Sequence, residues 1–313
     1  MSKIIACPHH IFSDPKLLIV QNDNALKDPA WILYTSGTTG EPKGVVHSHR
    51  NMLHCVHWHT RLFRVTADDR LSCLLPCSVI GGMREILLPL LNGGCMLPKD
   101  LKADGLTGFS DWLIKERITI CRFISSVFRS FAWTLNGSER FPDLRFIYVG
   151  GEKMTPSDVD LFKERFPDAC RLVNIMGATE TLIYRHFVID SQTRIPGTTV
   201  PVGHPVDDMT VSVLDANGIP VPTGEAGEIT VKSRYLGLGY WNQPELTKST
   251  FTEDSDGGDE RVYCTGDLGR ILPDGCLEFL GRKDSQVNIN GYRIELDEVE
   301  AALREINVPL GDG

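Results

Sequence analysis

Long apolar runs, blocks of basic residues and paired cysteines are all missing from this sequence of 313 residues. No run reaches the length of a membrane-spanning helix, and the stretch before Pro8 is too short for the core of a signal peptide. Lysine and arginine form no block and the net charge is -9, which excludes the basic surface that nucleic acids and anionic membranes require. We therefore expect a soluble, cytoplasmic protein that binds neither nucleic acid nor membrane.

The nine cysteines are odd in number and include no Cys-x-x-Cys pair, which disfavours a disulfide framework and a cysteine zinc site. Potential metal ligands do cluster in one segment, at His47, His49, His54, Cys55, His57 and His59. Only His54 and His57 have a clean helical spacing, and neither His-x-x-x-His nor Glu-x-x-His occurs there. We expect a packed or solvated helix rather than a metal site.

Short apolar runs alternate with helical patterns between residues 31 and 181. The candidate strands are residues 31–35, 71–75, 118–123, 144–149 and 171–176. The candidate helices are residues 85–91, 108–116 and 157–166. Strands separated by helices predict an α/β fold with a mostly parallel sheet and flanking helices.

After residue 198 the pattern changes to alternating residues broken by turns. Residues 209–214 are followed by the turn sequence Asp215-Ala-Asn-Gly218, and residues 227–231 resume a strand. This predicts a smaller antiparallel subdomain, in the form of a barrel-like structure or a sheet. We also expect an exposed loop at residues 254–260 and a helix that opens near Leu296.

The run from Tyr34 to Gly44 has a composition suited to binding phosphate. It holds three glycines, four aliphatic hydroxyls and Lys43 directly after an apolar stretch. Glycines let backbone N–H groups turn toward an anion, while hydroxyls and the lysine add donors and charge. The Walker A spacing is absent, because Pro42 lies five residues after Gly37 and Gly44 follows Lys43. A flexible surface loop is the alternative for this segment alone.

Further motifs follow in order. Gly177-Ala-Thr-Glu180 comes at the end of a predicted strand and offers Glu180 to Mg²⁺ and Thr179 to a phosphate, although a helix cap is the alternative. Thr265-Gly-Asp267 places a carboxylate that suits a ribose diol at a predicted strand–turn junction, although a plain turn is the alternative. Arg282 and Asp284 follow as a possible nucleotide contact and hinge. The Gly-x-Gly at 237–239 is expected to be a structural crossing.

Together these motifs resemble the adenylate-forming superfamily: acyl-CoA synthetases, luciferases and the adenylation domains of nonribosomal peptide synthetases. The resemblance runs from about Trp31 to Arg304. The sequence of residues 281–296 is most similar to the peptide-synthetase domains. It implies a two-step reaction with ATP and Mg²⁺. A carboxylate attacks the α-phosphate to give an acyl-adenylate and pyrophosphate, and the thiol of a phosphopantetheinyl carrier domain or of CoA then takes the acyl group.

The resemblance also implies a role for each matching residue. The triphosphate would be held by Thr35, Ser36, Gly37, Thr38, Thr39, Gly40 and Lys43. The catalytic residues would be Lys43, Thr179 and Glu180, with Glu180 on the metal. The adenine would be bordered by Gly151, Glu152, Met176, Gly177 and Ala178. Asp267 would take the ribose hydroxyls, Arg282 would support the ribose, and Asp284 would be the hinge. For residues 150–152, a structural turn closing a strand is an equal alternative.

Family members carry a long segment before the glycine–threonine loop and a mobile lid after the hinge, whereas only thirty residues precede Trp31 here. We expect residues 1–198 to be the α/β part of a core whose N-terminal portion is missing. Residues 199–281 would be its β-rich subdomain, and residues 282–313 the hinge and the first part of a truncated lid. Without the lid's lysine, we expect the isolated chain to bind nucleotide weakly and to adenylate slowly or not at all.

One residue position limits the class of acid that the site would activate. Relatives that activate amino acids place an aspartate five residues before the position of Glu85, where it pairs with the substrate ammonium; Ile80 stands there. Because an isoleucine leaves an ammonium unpaired, we expect an acid without an α-amino group. Its pocket would be lined by Ile80, Ile175, Ile183 and Tyr184. An acyl-CoA synthetase and a non-catalytic nucleotide-binding or scaffold module remain as alternatives.

Overall fold

The computed structural model describes residues 23–36, 42–195, 197–253, 258–283, 286–289 and 292–295. The helices within these ranges are α1 (Asp23–Lys27), α2 (His49–Phe63), α3 (Ile80–Leu91), α4 (Leu101–Asp104), α5 (Phe109–Lys115), α6 (Ser125–Thr134), α7 (Pro156–Arg165) and α8 (Pro244–Thr250). The strands are β1 (Pro29–Thr35), β2 (Lys43–Ser48), β3 (Arg70–Cys73), β4 (Cys95–Pro98), β5 (Ile120–Phe123), β6 (Phe146–Val149), β7 (Arg171–Ala178), β8 (Leu182–Ile189), β9 (His204–Pro205), β10 (Thr210–Leu214), β11 (Gly227–Ser233), β12 (Gly239–Tyr240), β13 (Phe251–Glu253), β14 (Arg261–Ile271), β15 (Leu277–Arg282), β16 (Gln286–Ile289) and β17 (Tyr292–Glu295).

A seven-stranded sheet in the order β4-β3-β5-β6-β7-β8-β9 forms the centre of the fold. Its first five strands are parallel, whereas β8 and β9 run antiparallel to their neighbours. Four of the five predicted strands lie in this sheet, with ends shifted by up to a few residues. The predicted α/β fold with a mainly parallel sheet is confirmed.

The first predicted strand lies in a different sheet. β1 pairs antiparallel with β2, and β2 pairs antiparallel with β12, giving a three-stranded sheet. Residues 31–35 are therefore a strand as predicted, but their placement among the parallel strands is wrong. Because β1 and β2 are antiparallel, with Thr35 paired to Lys43, they are not successive parallel strands of a βαβ unit.

Helix α3 begins at Ile80, five residues before its predicted start at Glu85. Glycines are unfavourable inside helices, so Gly81 and Gly82 hid the first turn from the sequence pattern. The structure gives Gly82 a packing reason, because a Cβ there would lie 2.0 Å from the carbonyl oxygen of Pro76. This first turn places Ile80 and Gly81 at the rim of the central sheet.

Both faces of the parallel strands are covered by helices. On one face Ile120 and Val173 pack in a cluster with residues of α2 and α3. On the other face Cys121 and Leu172 pack with residues of α5, α6 and α7. A parallel sheet buried on both faces leaves the carboxyl ends of its strands as the place where a ligand can enter.

The later strands form antiparallel sheets, as predicted. β14 pairs with β11 along one edge, while β13 and β15 pair with successive parts of its other edge, and β10 completes the sheet beyond β11. Among the described strands this pairing is an open path, so the antiparallel subdomain, expected as a barrel or a sheet, is a sheet. Bonds between Val202, Gly203 and Leu277 join this sheet to the segment before β9. β16 and β17 form a hairpin.

Two predicted elements lie at the limits of the described ranges. The helix expected near Leu296 falls outside them, as do residues 254–257 of the expected loop. Asp259, in the described part of that loop, is exposed as expected and accepts a hydrogen bond of 2.8 Å from Arg50. None of the helices in the described ranges combines the length with the apolar character that crossing a bilayer requires.

Candidate functional site

A cavity of about 630 Å³ opens at the carboxyl ends of the parallel strands. It is bordered by the segments that follow β3, β5, β6 and β7, by the first turns of α3, and by β14 and β15. Eleven of the residues predicted to bind a ligand line it: Ile80, Gly151, Glu152, Ile175, Met176, Gly177, Ala178, Thr179, Ile183, Asp267 and Arg282. The site therefore gathers motifs that are far apart in sequence.

The turn after β6 forms one wall. Gly151 has a φ of 95°, in the left-handed region that favours glycine. A Cβ on Gly150 would lie 2.7 Å from the carbonyl oxygen of Ile175 on β7, so glycine lets the turn approach the next strand. Glu152 lines the cavity while its Oε2 accepts a hydrogen bond of 2.9 Å from the N–H of Ser126. This carboxylate thus caps the start of α6, which supports the structural interpretation of the turn.

The end of β7 forms the floor. Met176 to Thr179 line the cavity where β7 meets β8 through a bulge between Met176 and Gly177. A Cβ on Gly177 would lie 1.9 Å from the carbonyl oxygen of Leu182, so only glycine fits this crossing. Thr181 Oγ1 accepts a hydrogen bond from the Ala178 N–H and holds the turn. Backbone and side chains of four consecutive residues are thereby presented to a ligand.

Glu180 lies directly behind that floor. It is fully buried and does not line the cavity. The Tyr240 hydroxyl donates to Glu180 Oε1 across 2.9 Å, and the Gly237 N–H donates to the Glu180 carbonyl oxygen across 2.7 Å. The Lys43 ammonium lies 5.4 Å from the centroid of the Tyr240 ring. Tyr240 thus joins the two ends of the predicted phosphate site.

Tyr240 was missed by the sequence analysis. The structural crossing expected at residues 237–239 is correct for Gly237 and Gly239, but it gives no sign of the tyrosine that follows them. Tyr240 reaches Glu180 only because β12 pairs with β2, a contact between segments far apart in sequence. No local pattern signals such a pairing.

The hairpin of β1 and β2 carries the flanks of the glycine–threonine loop. Thr35 and Lys43 are directly paired across it. Thr35 Oγ1 is buried without a hydrogen-bond partner among the described residues, as expected of a donor whose acceptor is a ligand. Gly37, Thr38, Thr39 and Gly40 lie outside the described residues, and so does Asp284.

Asp267 and Arg282 form an ion pair on the wall opposite the sheet edge. Arg282 Nη1 donates to Asp267 Oδ1 across 2.8 Å and to the Thr265 carbonyl oxygen across 2.7 Å. Gly266 has a φ of 72°, and a Cβ there would lie 2.8 Å from Arg282 Nη2. The predicted strand–turn junction is wrong, because β14 continues through Asp267 to Ile271 and only its ladder shifts there.

The other end of the cavity is formed by α3 and β5. Ile80, Gly81 and Arg84 line it from the helix, and Arg122 lines it from the strand. Tyr184 does not line the cavity, contrary to prediction; it is fully buried in the core, because side chains alternate along β8 and Ile183 takes the cavity side. Burial raises the pKa of the Tyr184 hydroxyl well above its usual value.

The histidine-rich segment forms α2 and the end of β2. Asn51 Nδ2 donates to His47 Nδ1 across 3.2 Å, His59 Nδ1 contacts the Cys55 carbonyl oxygen, and the His54 ring stacks on Tyr235. Burial lowers the pKa of His47 to about 4 and that of His59 to about 3. Within the described part of the chain, no three His, Cys, Asp or Glu side chains are grouped so that they could hold a metal.

Magnesium fits this site in one way. Mg²⁺ keeps several waters and is usually held by one or two carboxylates together with substrate phosphates, rather than by a cage of protein ligands. Gly237 donates its N–H to the Glu180 carbonyl oxygen and the next residue, Leu238, donates to the Val46 carbonyl oxygen on β2, so Glu180 is linked to the hairpin of the phosphate loop. The donors present therefore suit a magnesium ion that arrives on a nucleotide, with Glu180 as its protein carboxylate.

Comparison with known proteins agrees with this geometry. The model of the AMP-binding enzyme family matches residues 10–241. Tyrocidine synthase 3 of Brevibacillus parabrevis is 35% identical over 278 residues, which cover 88% of this chain and 4% of the synthase.

Two solved structures share the fold. Holo-PA1221, a nonribosomal peptide synthetase protein with adenylation and PCP domains, superposes with a TM-score of 0.78 at 29% identity, covering 89% of this chain and 48% of that one. The AMPPNP-bound form of the nonribosomal peptide synthetase FmoA3 superposes with a TM-score of 0.75 at 30% identity, covering 83% and 28%. The chain thus spans between 4% and 48% of the length of these relatives. It belongs to the family of AMP-binding enzymes, as an adenylation domain of the nonribosomal peptide synthetase type.

Proposed function

We propose that this chain activates a carboxylic acid as an acyl-adenylate at the cavity described above. A carboxylate oxygen attacks the α-phosphorus of ATP, and pyrophosphate leaves. A thiol sulfur then attacks the acyl carbon, and AMP leaves. The observation that carries the proposal is the convergence of residues 150–152, residues 176–179 and the Asp267–Arg282 pair on one cavity. Such positioning and electrostatic stabilisation account for most of the catalysis in phosphoryl chemistry.

Each end of the nucleotide would have its own set of residues. Met176 to Ala178 and Gly151 would border the adenine, and Asp267, held by Arg282, would accept hydrogen bonds from the ribose hydroxyls. Thr179 and Lys43 would contact phosphate oxygens. The remaining triphosphate contacts would come from Thr35, Ser36, Gly37, Thr38, Thr39 and Gly40. Magnesium would supply positive charge next to Glu180.

The acid would lie between α3 and β7. Ile80, Ile175 and Ile183 give that region an apolar lining, and the charged side chains that line it from α3 and β5 are arginines. A positive wall repels an ammonium group, which supports an acid without an α-amino group.

The acyl group would pass to a phosphopantetheinyl carrier domain rather than to CoA. The PCP domain beside the adenylation domain of holo-PA1221 supports the carrier as acceptor. The cytoplasmic location stays a prediction.

The test is calorimetric titration of the chain with ATP, AMP and a nonhydrolysable acyl-adenylate mimic. We expect the mimic to bind most tightly, because it fills both ends of the cavity. Asp267→Asn should weaken the binding of all three ligands. Asp215→Asn, in an exposed turn, should leave all three affinities unchanged. No binding of any of the three would leave the scaffold alternative in place of the enzyme.

Catalysis is tested separately by exchange of labelled pyrophosphate into ATP in the presence of a panel of acids. We expect exchange that depends on the acid supplied, and transfer of the activated acyl group to a holo carrier protein rather than to CoA. Faster transfer to CoA would favour the acyl-CoA synthetase alternative.

A further inference from the structure

Two arginines are buried in the cavity wall. Arg84, on α3, is 2% exposed, and Arg122, on β5, is 6% exposed. Both side chains line the cavity. Buried guanidinium groups are strongly unfavourable unless they are paired and hydrogen-bonded, so each needs a partner.

The described residues do not supply enough partners. Nε and Nη1 of both arginines are buried and donate no hydrogen bond to any described group. Glu85 forms an ion pair with Arg122, yet its Oε1 is 3.8 Å from Arg122 Nη1, beyond hydrogen-bond distance. Glu85 Oε2 is already occupied by the N–H groups of Leu74 and Leu75, at 2.7 and 2.9 Å.

The neighbouring groups add no negative charge. Burial raises the pKa of the Cys55 thiol beside Arg84 and lowers the pKa of the His59 imidazole to about 3, so both are uncharged near neutral pH. Burial also raises the pKa of the Tyr148 hydroxyl. Two guanidinium groups against one carboxylate therefore leave a net positive charge with unused donors at this end of the cavity.

The backbone is shaped to place one of these groups. A Cβ on Gly81 would lie 2.5 Å from Arg122 Nη1 and 2.6 Å from its Cζ. Any other residue on this first turn of α3 would displace the guanidinium. The glycine that the sequence pattern marked as unfavourable for a helix thus makes room for Arg122 at the cavity.

We propose that the acid activated at this site carries a second carboxylate, which Arg84 and Arg122 bind at the α3–β5 end of the cavity. This inference rests on the proposed function and names its substrate class. A planar carboxylate matches the paired donors of a guanidinium and neutralises the excess charge. β5 lies two strand positions from β7, about 10 Å at the usual strand spacing. That distance suits a short α,ω-dicarboxylic acid whose other carboxylate is presented to the nucleotide near Thr179.

The experiment measures acid binding by calorimetry in the presence of saturating AMP. The probes are succinate, glutarate and adipate, each compared with its own half-amide and with the monocarboxylate of equal length. We expect at least one dicarboxylate to bind at least about tenfold more tightly than its half-amide, the effect of one charge-assisted contact.

Variants assign that preference to the two arginines. Arg84→Met and Arg122→Met should abolish the preference for the dicarboxylate while monocarboxylate and AMP binding persist, and Arg122→Lys should restore part of it. Gly81→Ala should also reduce it by displacing Arg122. Arg129→Met, which removes an arginine paired with Asp158 on α7, is the control and should leave the preference intact.

Three results would overturn the inference. Equal binding of a dicarboxylate and its half-amide would show that no second carboxylate is recognised, and an unchanged preference in both methionine variants would show that other residues recognise it. If AMP binds and none of the acids does, the proposed substrate class is wrong but the nucleotide site is not contradicted. Failure of AMP itself to bind would instead contradict the proposed function, so the two failures are distinguishable.

Discussion

The Tyr240 hydroxyl donates a hydrogen bond of 2.9 Å to Glu180 Oε1. This bond joins β12 to the carboxylate behind the cavity floor. Both residues are buried, at 6% and 0% exposure. A hydrogen bond to a carboxylate in such surroundings fixes the direction in which its other oxygen points. Tyr240 is therefore positioned to orient the proposed magnesium ligand without touching the acid.

Replacing Tyr240 by phenylalanine tests that role. Loss of the bond should lower the free energy of unfolding by about 1.5–3 kcal/mol, because it leaves a buried carboxylate oxygen without this donor. It should also raise the magnesium concentration needed for tight ATP binding, while AMP binding changes little. Thermal unfolding and calorimetric titration of ATP at several magnesium concentrations measure the two effects. Tyr235→Phe keeps the stacking on His54 and is the matched control; equal magnesium dependence in both variants would refute the orienting role.

Asp267→Asn should remove the preference for an intact ribose. The carboxylate can accept hydrogen bonds from both ribose hydroxyls, whereas an asparagine oxygen is a weaker, uncharged acceptor. The chain should bind ATP roughly 10- to 100-fold more tightly than 2′,3′-dideoxy-ATP, as expected for a contact of about 1.5–3 kcal/mol, and the variant should bind both alike. Competition against a fluorescent nucleotide gives both affinities. A wild-type chain that does not distinguish the two nucleotides would place the ribose elsewhere.

Local patterns predicted four of the seven strands of the central sheet, because burial on both faces makes parallel strands continuous apolar runs, and they also marked the motif at the cavity floor. Residues 176–179 and Gly151 could be predicted because their motifs are contiguous. Tyr240, Arg84 and Arg122 could not. Their roles arise where α3, β5 and β12 meet other segments, and single arginines in apolar runs at 84 and 122 carry no sequence signal for the cavity they face.

Glycines with an unusual backbone conformation or close contacts in the folded chain also give misleading local sequence patterns. Gly81 and Gly82 disguised the start of α3, since their helix-breaking tendency is outweighed by contacts with Arg122 and Pro76 that only the folded chain reveals. The strand–turn junction predicted at Asp267 failed for a related reason. Gly266 adopts a positive φ inside β14, so a local turn signal coexists with a strand that continues through Asp267 while its register with β15 shifts after Leu268.

Gly177→Ala should be strongly destabilising, because the added Cβ would lie 1.9 Å from the carbonyl oxygen of Leu182. The β7–β8 bulge would have to open, and overpacking of this kind costs about 1–3 kcal/mol. Since Met176 and Ala178 flank this residue and line the cavity, nucleotide affinity should fall as well. Gly197→Ala is the control, because a Cβ on Gly197 would lie 3.9 Å from its nearest neighbour, the Thr199 nitrogen. Equal urea midpoints for the two variants would contradict the close crossing.

The buried histidines should make stability depend on pH below neutrality. Burial lowers the pKa of His47 from 6.5 to about 4 and that of His59 to about 3, so the folded chain keeps both neutral where the unfolded chain already binds protons. Stability is then fully present above pH 6.5 and is lost as the pH falls toward 4, by about 3 kcal/mol for His47. Urea unfolding at intervals between pH 7 and pH 4.5 measures this slope. His47→Gln should flatten it and the exposed His57→Gln should not, so an equal slope in wild type and His47→Gln would show that His47 is not the group that titrates.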